Sequence, residues 1–367
     1  MAKLLSPLVL GSLTLKNRVV LAPLNRGRAN PVTREPNDLI QTYYEQRASS
    51  GLIITEATAV SDEGHGWYGA PAMYTEEHSV KWRKIVDGVH AKGGVIFLQM
   101  WHMGRQGHPS FHATNEVLSA SAIKVPGDGN VRDVNYENSN YVLPRALTEQ
   151  EIAKTVEDYK ESARLARLAG FDGVELHAAN GYLIDQFLQS VSNVRTDNYG
   201  GSFENRYRFL KEVVEAVATV FPADRIGVRV SPNGGFGGMG SPDNYDMFQY
   251  VARELFPYGL AYLHVMDGTG FGAHDKCAHL TLFDMKTAFK GPIMGNVCYT
   301  KEIAEGVIRS GAADFVAFGR PYISNPDLVE RFTHNYPLAP DAPYENWWTP
   351  TKGAEGYTDY PAYSATA

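Results

Sequence analysis

Short runs of β-branched and apolar residues alternate with longer stretches of helical period from residue 19 to beyond residue 315, which confines the chain to a strand–helix–strand architecture of the α/β class. Strands are expected at 19–22, 52–55, 95–99, 173–177, 226–230, 262–265, 293–295 and 315–318. Amphipathic patterns mark helices at 151–169, 203–220, 246–255 and 301–309, and Gly170 and Gly311 stand where C-caps belong. Strand–helix alternation by itself leaves an open sheet and a closed barrel both possible.

The 367 residues exceed a usual domain, but one α/β barrel with long loops absorbs that length, so a single domain over 1–367 is expected. A hydrophobic content of 44% supplies a large core. The formal charge of -7, with no basic tract, argues against nucleic acid or an anionic membrane as partner. No apolar run is long enough to span a bilayer. Pro7 and Gly11 interrupt the first apolar run, so Leu8, Leu10, Leu13 and Leu15 fit a β-hairpin better than a signal peptide. Cys277 and Cys298 are the two cysteines, too few for a disulfide framework or a metal knuckle. No retention or peroxisomal address closes the sequence, and a cytoplasmic location is the default expectation. The stretch 100–147, rich in Gly, Asn, Ser and Pro, reads as a long excursion, and loops of that length commonly carry function.

The segment GFDGVELHAANGYLIDQFL carries the most chemistry. Its strand ends in His177, and Asn180 and Tyr182 occupy the following turn. His and Asn can donate to a substrate oxygen, and a Tyr can supply a proton. The plainer reading is a histidine closing a strand end with Tyr182 packed beside it.

Read together, this segment and NVRTDNYGGSFENRYRF, RVVLAPLNR, LQMWHMGR, IGVRVSP, GAADFVAFGRPYISNPDL and GYTDYP resemble the Old Yellow Enzyme family, in order from Arg18 to Pro361. The similarity is greater to its oxophytodienoate- and enone-reductase branch than to the yeast enzymes. It implies a (β/α)8 TIM barrel whose bottom the N-terminal hairpin plugs and whose top the long excursion crosses. It also implies bound FMN, with NADPH or NADH as hydride donor.

For the cofactor, Gly295 and Asn296 end strand seven while Gly319 and Arg320 end strand eight, the two loops that often bind phosphate in such barrels. The resemblance assigns them to the FMN phosphate, with Arg320 as the charged partner. Gln99 offers both donor and acceptor to the ring, and Arg229 places a cation near its reducible end. Pro23, Leu24 and Asn25, after strand one, look like the side facing flavin O4, and Ala57, after strand two, is a further cofactor position.

Substrate-lining positions are Trp67, Trp101, Phe236, Phe271 and Trp348, together with His177, Asn180 and Tyr182. The family usually has Thr or Cys at Asn25 and Tyr near Trp67 and Trp348, so flavin potential and pocket shape are set differently here. The resemblance implies reduction of the C=C bond of α,β-unsaturated carbonyl or nitro compounds. In that scheme His177 and Asn180 hold the substrate oxygen, hydride comes from flavin N5, and Tyr182 protonates the other carbon. Activated alkenes and phenols are the expected small-molecule partners, with the chain a monomer or homodimer. Another FMN barrel with a base at the flavin and a non-catalytic flavin-binding protein remain open. A metal-dependent hydrolase is disfavoured because His177 has no companion ligand at metal spacing.

Overall fold

The computed structural model describes residues 2–127, 131–268, 270 and 272–364. Among them, eight parallel strands close into a barrel: β1 (Val19–Leu21), β2 (Leu52–Ile54), β3 (Ile96–Trp101), β4 (Gly173–Ala178), β5 (Ile226–Val230), β6 (Tyr262–Met266), β7 (Ile293–Asn296) and β8 (Phe315–Phe318). Each pairs with its successor, and β8 returns to β1 with Val316 opposite Val19. That last pairing decides between sheet and barrel, and closure leaves the barrel without a free edge. All eight expected strands form, with ends shifted by at most two residues.

The outer ring is α1 (Asp38–Gln46), α2 (Glu76–Ala91), α3 (Glu149–Leu168), α4 (Phe203–Ala218), α5 (Asn244–Leu255), α6 (Leu282–Phe289), α7 (Lys301–Ser310) and α8 (Leu328–His334). Thr148 and Glu151 start α3 with a reciprocal capping box, which satisfies two otherwise orphaned N–H groups. Gly170 and Gly311 follow α3 and α7 in left-handed conformation, at φ 90° and 83°, as their positions predict. Among the described residues no helix is long and apolar enough to cross a membrane.

Strand alternation sends Val20, Leu52, Ile54, Phe97, Tyr262, Met294 and Phe315 into the barrel. There they form one buried cluster with Leu10 and Leu15 of the hairpin Leu8–Leu10/Leu13–Leu15. The hairpin therefore plugs the bottom, and each of its two leucines contributes about 1.5–3 kcal/mol by full burial. One layer higher, the inward positions turn polar, with Gln99, Glu175, Arg229, His264 and Asn296 all buried. This change of character falls at the C-terminal ends of the strands, where barrels place their active sites.

The excursion after β3 is more ordered than a bare loop. It holds two 3-10 turns, a parallel ladder of Leu118–Ser119 with Arg145–Ala146, and a hairpin of Val131–Arg132 with Asn138–Ser139. Tyr136, at the hairpin tip, lies 5.3 Å from Tyr68, and its hydroxyl donates to the Trp348 carbonyl at 3.5 Å.

Two arginines from the loop after β1 hold the segment that bears Trp348. Arg26 donates to the carbonyls of Trp347 at 2.6 Å, Asn346 at 2.9 Å and Gly356 at 2.8 Å. Arg28 donates to Gly353 and Glu355, both at 3.2 Å, and both guanidinium groups lie 5.0 Å from the Tyr357 ring. Below them Glu56 is fully buried and accepts the Arg26 backbone N–H at 3.3 Å; burial pushes its carboxyl up to about 7.

Candidate active site

The floor of the site follows from strand register. Glu175 lies opposite Gln99, His177 opposite Arg229, and Arg229 opposite His264, so these side chains point into one volume. Gln99 Nε2 donates to Glu175 Oε1 at 2.8 Å, and His264 Nδ1 lies 2.8 Å from Glu175 Oε2. Burial works against the Glu175 carboxylate, but His264, Arg229 and Gln99 outweigh it and hold it below the usual carboxylate value. With its amide nitrogen committed, Gln99 presents its carbonyl oxygen as the remaining acceptor. It lies within β3, two residues short of the strand end where the sequence reading placed it.

Arg229 Nη2 donates to Asn296 Oδ1 at 2.8 Å, and Asn296 Nδ2 donates to the Ala317 carbonyl at 2.8 Å. The Asn296 side chain shares the inward parity of Met294 and braces the floor. Among the described residues the buried Arg229 Nε and His177 Nδ1 have no hydrogen-bond partner, two polar atoms on side chains that stand opposite each other on β4 and β5.

At the β7 and β8 ends the glycines pack closely against neighbouring side chains. A Cβ on Gly295 would come within 3.0 Å of Leu282 Cδ1 and Tyr299 Oη, and one on Gly319 within 3.2 Å of Leu24 Cδ2. Val297 and Cys298 follow β7 at φ 88° and 62°. A left-handed β-branched residue is a steric outlier. Val297→Gly is therefore expected to stabilise the protein by about 1 kcal/mol, the strain relieved exceeding the added chain entropy. A thermal melt that moves down in this variant would show that the Val297 side chain packs to greater benefit than its backbone costs. Arg320 lies with its guanidinium 4.9 Å from the Trp347 ring and Nη2 3.5 Å from the Gly270 carbonyl.

Near the β1 end, Pro23 is buried and Leu24 and Asn25 are half-buried. Asn25 Oδ1 accepts the Ala57 N–H at 2.9 Å, which turns its Nδ2 away as the free donor of that amide. At the mouth, the Tyr182 ring stands edge-on to both His177, at 5.0 Å, and Trp101, at 5.4 Å. Trp67 and Tyr182 pack on the buried group Ala57, Ala59, Ala70, Ala72, Trp101 and Met103, and Trp348 meets Trp67 edge-on at 6.3 Å. Burial, aided by Arg229 and His264, keeps the His177 imidazole far below its ordinary pKa; burial also raises the Tyr182 phenol. Both are consequently neutral at physiological pH.

Phe236 does not join this wall. It is 46% exposed on the turn Phe236–Gly238. Phe271 lies outside the described residues. Sequence reasoning missed Glu175 and His264, whose signal is a lone polar residue inside each of the apolar runs GVEL and YLHVM. It also missed Asp185, Ser231, Arg26 and Arg28.

A buried floor that presents an amide, a guanidinium and an imidazole fits a flat heteroaromatic ring with donors and acceptors along its edge. With glycines ending β7 and β8 and Arg320 following β8, the fold and site define a flavin oxidoreductase barrel. Residues 3–339 match the NADH:flavin oxidoreductase / NADH oxidase family. Similar proteins include 12-oxophytodienoate reductase 2 of Arabidopsis thaliana, 39% identical over 99% of this chain and 96% of that one. A probable flavin mononucleotide-dependent alkene reductase of Leishmania infantum is 39% identical over 98% and 97%. Among solved structures, the old yellow enzyme homologue from Zymomonas mobilis superposes with a TM-score of 0.92 at 41% identity, covering 98% of this chain and 99% of that one. The chain belongs to the NADH:flavin oxidoreductase / NADH oxidase family, the Old Yellow Enzyme family that its motifs resemble. It is an NAD(P)H-dependent flavin oxidoreductase, with FMN as its cofactor.

Proposed function

We propose that the enzyme reduces the C=C bond of α,β-unsaturated carbonyl or nitro compounds, with His177 and Asn180 binding the substrate oxygen and Tyr182 supplying the proton. The observation that carries this reading is the edge-on approach of the Tyr182 and His177 rings at the barrel mouth, above a floor with unpartnered donors. FMN, when bound, supplies the hydride that saturation of the alkene requires, having received it from NADH or NADPH. Gln99, Arg229, Asn25 and Ala57 would hold its ring; Gly295, Gly319 and Arg320 would hold its phosphate.

A neutral His177 can donate an N–H to the substrate oxygen without introducing a buried cation. Donation from His177 and Asn180 draws electron density from the conjugated alkene, and this stabilisation grows as negative charge develops on the oxygen. Tyr182 keeps its proton until that charge has formed, since burial makes the free phenolate costly. Trp67, Trp101 and Trp348 exclude water from the mouth and press a flat substrate against the ring plane.

The purified protein is expected to be yellow, and a phenol added to it should produce a long-wavelength charge-transfer band. The same two donors that bind a carbonyl oxygen would bind a phenolate, so the phenol's apparent pKa should fall on binding. Relatives of this fold have been solved with a phenolic ligand, pHBA, and with tetrahydroNAD. Changing His177 and Asn180 together to Ala should abolish the band with FMN retained. A band that persists in the double variant means the oxygen site lies elsewhere.

A further inference from the structure

The turn between His177 and Tyr182 is held by side chains on nearly every backbone polar group. Asn180 and Gly181 are left-handed, at φ 60° and 72°, a conformation Asn tolerates and Gly adopts freely. The Asn180 N–H donates to Ser231 Oγ at 2.8 Å, and the Ser231 hydroxyl in turn helps to stabilise the Asp185 carboxylate. The Gly181 N–H donates directly to Asp185 Oδ2 at 2.8 Å. On the acceptor side, Gln106 Nε2 donates to the Asn180 carbonyl at 2.5 Å and Gln186 Nε2 to the Gly181 carbonyl at 2.7 Å.

Asp185 is the hub of this arrangement and an expensive one. It is fully buried, and among the described residues no ion pair reaches it, although Arg105 acts on it electrostatically. Burial pushes its carboxyl up to about 7, opposed by hydrogen bonds from Gln189, Gly181 and Ser231. Gln189 Nε2 donates to Asp185 Oδ1 at 2.8 Å, so both carboxyl oxygens are used. For stability alone, an apolar side chain would fill this space at lower cost, because an unpaired buried carboxylate is penalised. What the carboxyl adds is two acceptors at fixed positions, one for each consecutive N–H of the turn: directly for Gly181 and through Ser231 for Asn180.

We propose that Asp185 is a positioning residue that, with Ser231 as intermediary, locks the left-handed turn and so sets Asn180 and Tyr182 against His177. The inference rests on the reading of His177 and Asn180 as the oxygen site. Asp185 touches neither substrate nor cofactor in this scheme. Its effect travels through the two N–H groups, and misplacing a donor by a fraction of an ångström weakens a bond that depends on convergent geometry.

The test is a titration of the FMN-loaded protein with 4-chlorophenol, read by the charge-transfer band, in the wild type, D185N, S231A, D185N/S231A and the His177/Asn180 double alanine variant. D185N retains size and shape but replaces one acceptor by a donor facing the turn. It is expected to keep FMN while raising the 4-chlorophenol Kd by about 10-fold or more, the usual scale for disrupting a buried charge-assisted network. The apparent pKa of the bound phenol should rise toward its free value, a change that loss of packing elsewhere does not produce. S231A should show a smaller loss of the same kind. The combined variant should be no worse than D185N, since both act through one turn.

Wild-type Kd and phenol pKa in both D185N and S231A, with the band lost in the double alanine variant, would overturn the role of Asp185 and leave the oxygen site standing. Absence of the band in the wild type would remove the oxygen-site reading and this inference with it. Should D185N fail to fold, S231A decides alone: a shifted Kd and phenol pKa support the proposal, and unshifted values overturn it.

Discussion

Replacing Tyr182 by Phe is expected to lower turnover of a simple cyclic enone by roughly 10²–10⁴-fold, the usual worth of a positioned general acid, with flavin reduction by NADPH near the wild-type rate. The substitution removes one oxygen and keeps the ring that packs edge-on against His177 and Trp101. The proposed role begins only once the substrate carries charge, so the reductive half of the cycle has no need of the phenol. Reoxidation by oxygen should likewise persist, and enone binding should change little because His177 and Asn180 hold the oxygen. Stopped-flow measurement of each half-reaction separates the cases. Enone reduction that survives in the variant makes another residue or a water the proton donor. Collapse of flavin reduction instead would assign Tyr182 a structural role.

Arg320→Ala should weaken FMN retention by about 1.5–3 kcal/mol, the range for hydrogen bonds to charged groups. That corresponds to roughly a 10- to 150-fold rise in Kd. In the present structure the Arg320 guanidinium rests near the Trp347 ring and the Gly270 carbonyl, both at the rim beyond Gly319. Equilibrium dialysis of the apoprotein against FMN measures the change directly. An unaltered Kd would remove Arg320 from the phosphate site, and a wild-type protein that cannot be reconstituted at all would defeat the whole reading.

The strands were legible because β-branched runs at regular spacing have few alternatives, and their ends moved by at most two residues, as where the ladder runs on to Trp101 and Ala178. Closure was not legible from period, because the β8–β1 pairing joins residues almost 300 apart and leaves no local trace. The group His177, Asn180 and Tyr182 could be found because three polar side chains crowd one strand end. Glu175 and His264 could not, since each is a single polar residue in an apolar run and their contact spans 89 residues. Strand parity accounts for the place of the Asn296 side chain in the floor: it lies two residues after the inward Met294. The support from Ser231 to Asn180 was out of reach for the same reason as closure, with 51 residues between them.

The clamp of Arg26 on the carbonyls of residues 346, 347 and 356 has a consequence for the order in which a ribosome delivers this chain. Arg26 emerges early, and its acceptors emerge 320 to 330 residues later. During that interval two guanidinium groups destined for burial remain in water, and β1 waits without the partner strand that seals it. Chains of such high contact order fold slowly, and their nascent forms expose open strand edges. The wall that bears Trp348 is thus among the last features to form. A polypeptide stalled before residue 315 would hold most of the barrel sequence yet present an unfinished mouth and an adhesive edge to its neighbours on the polysome.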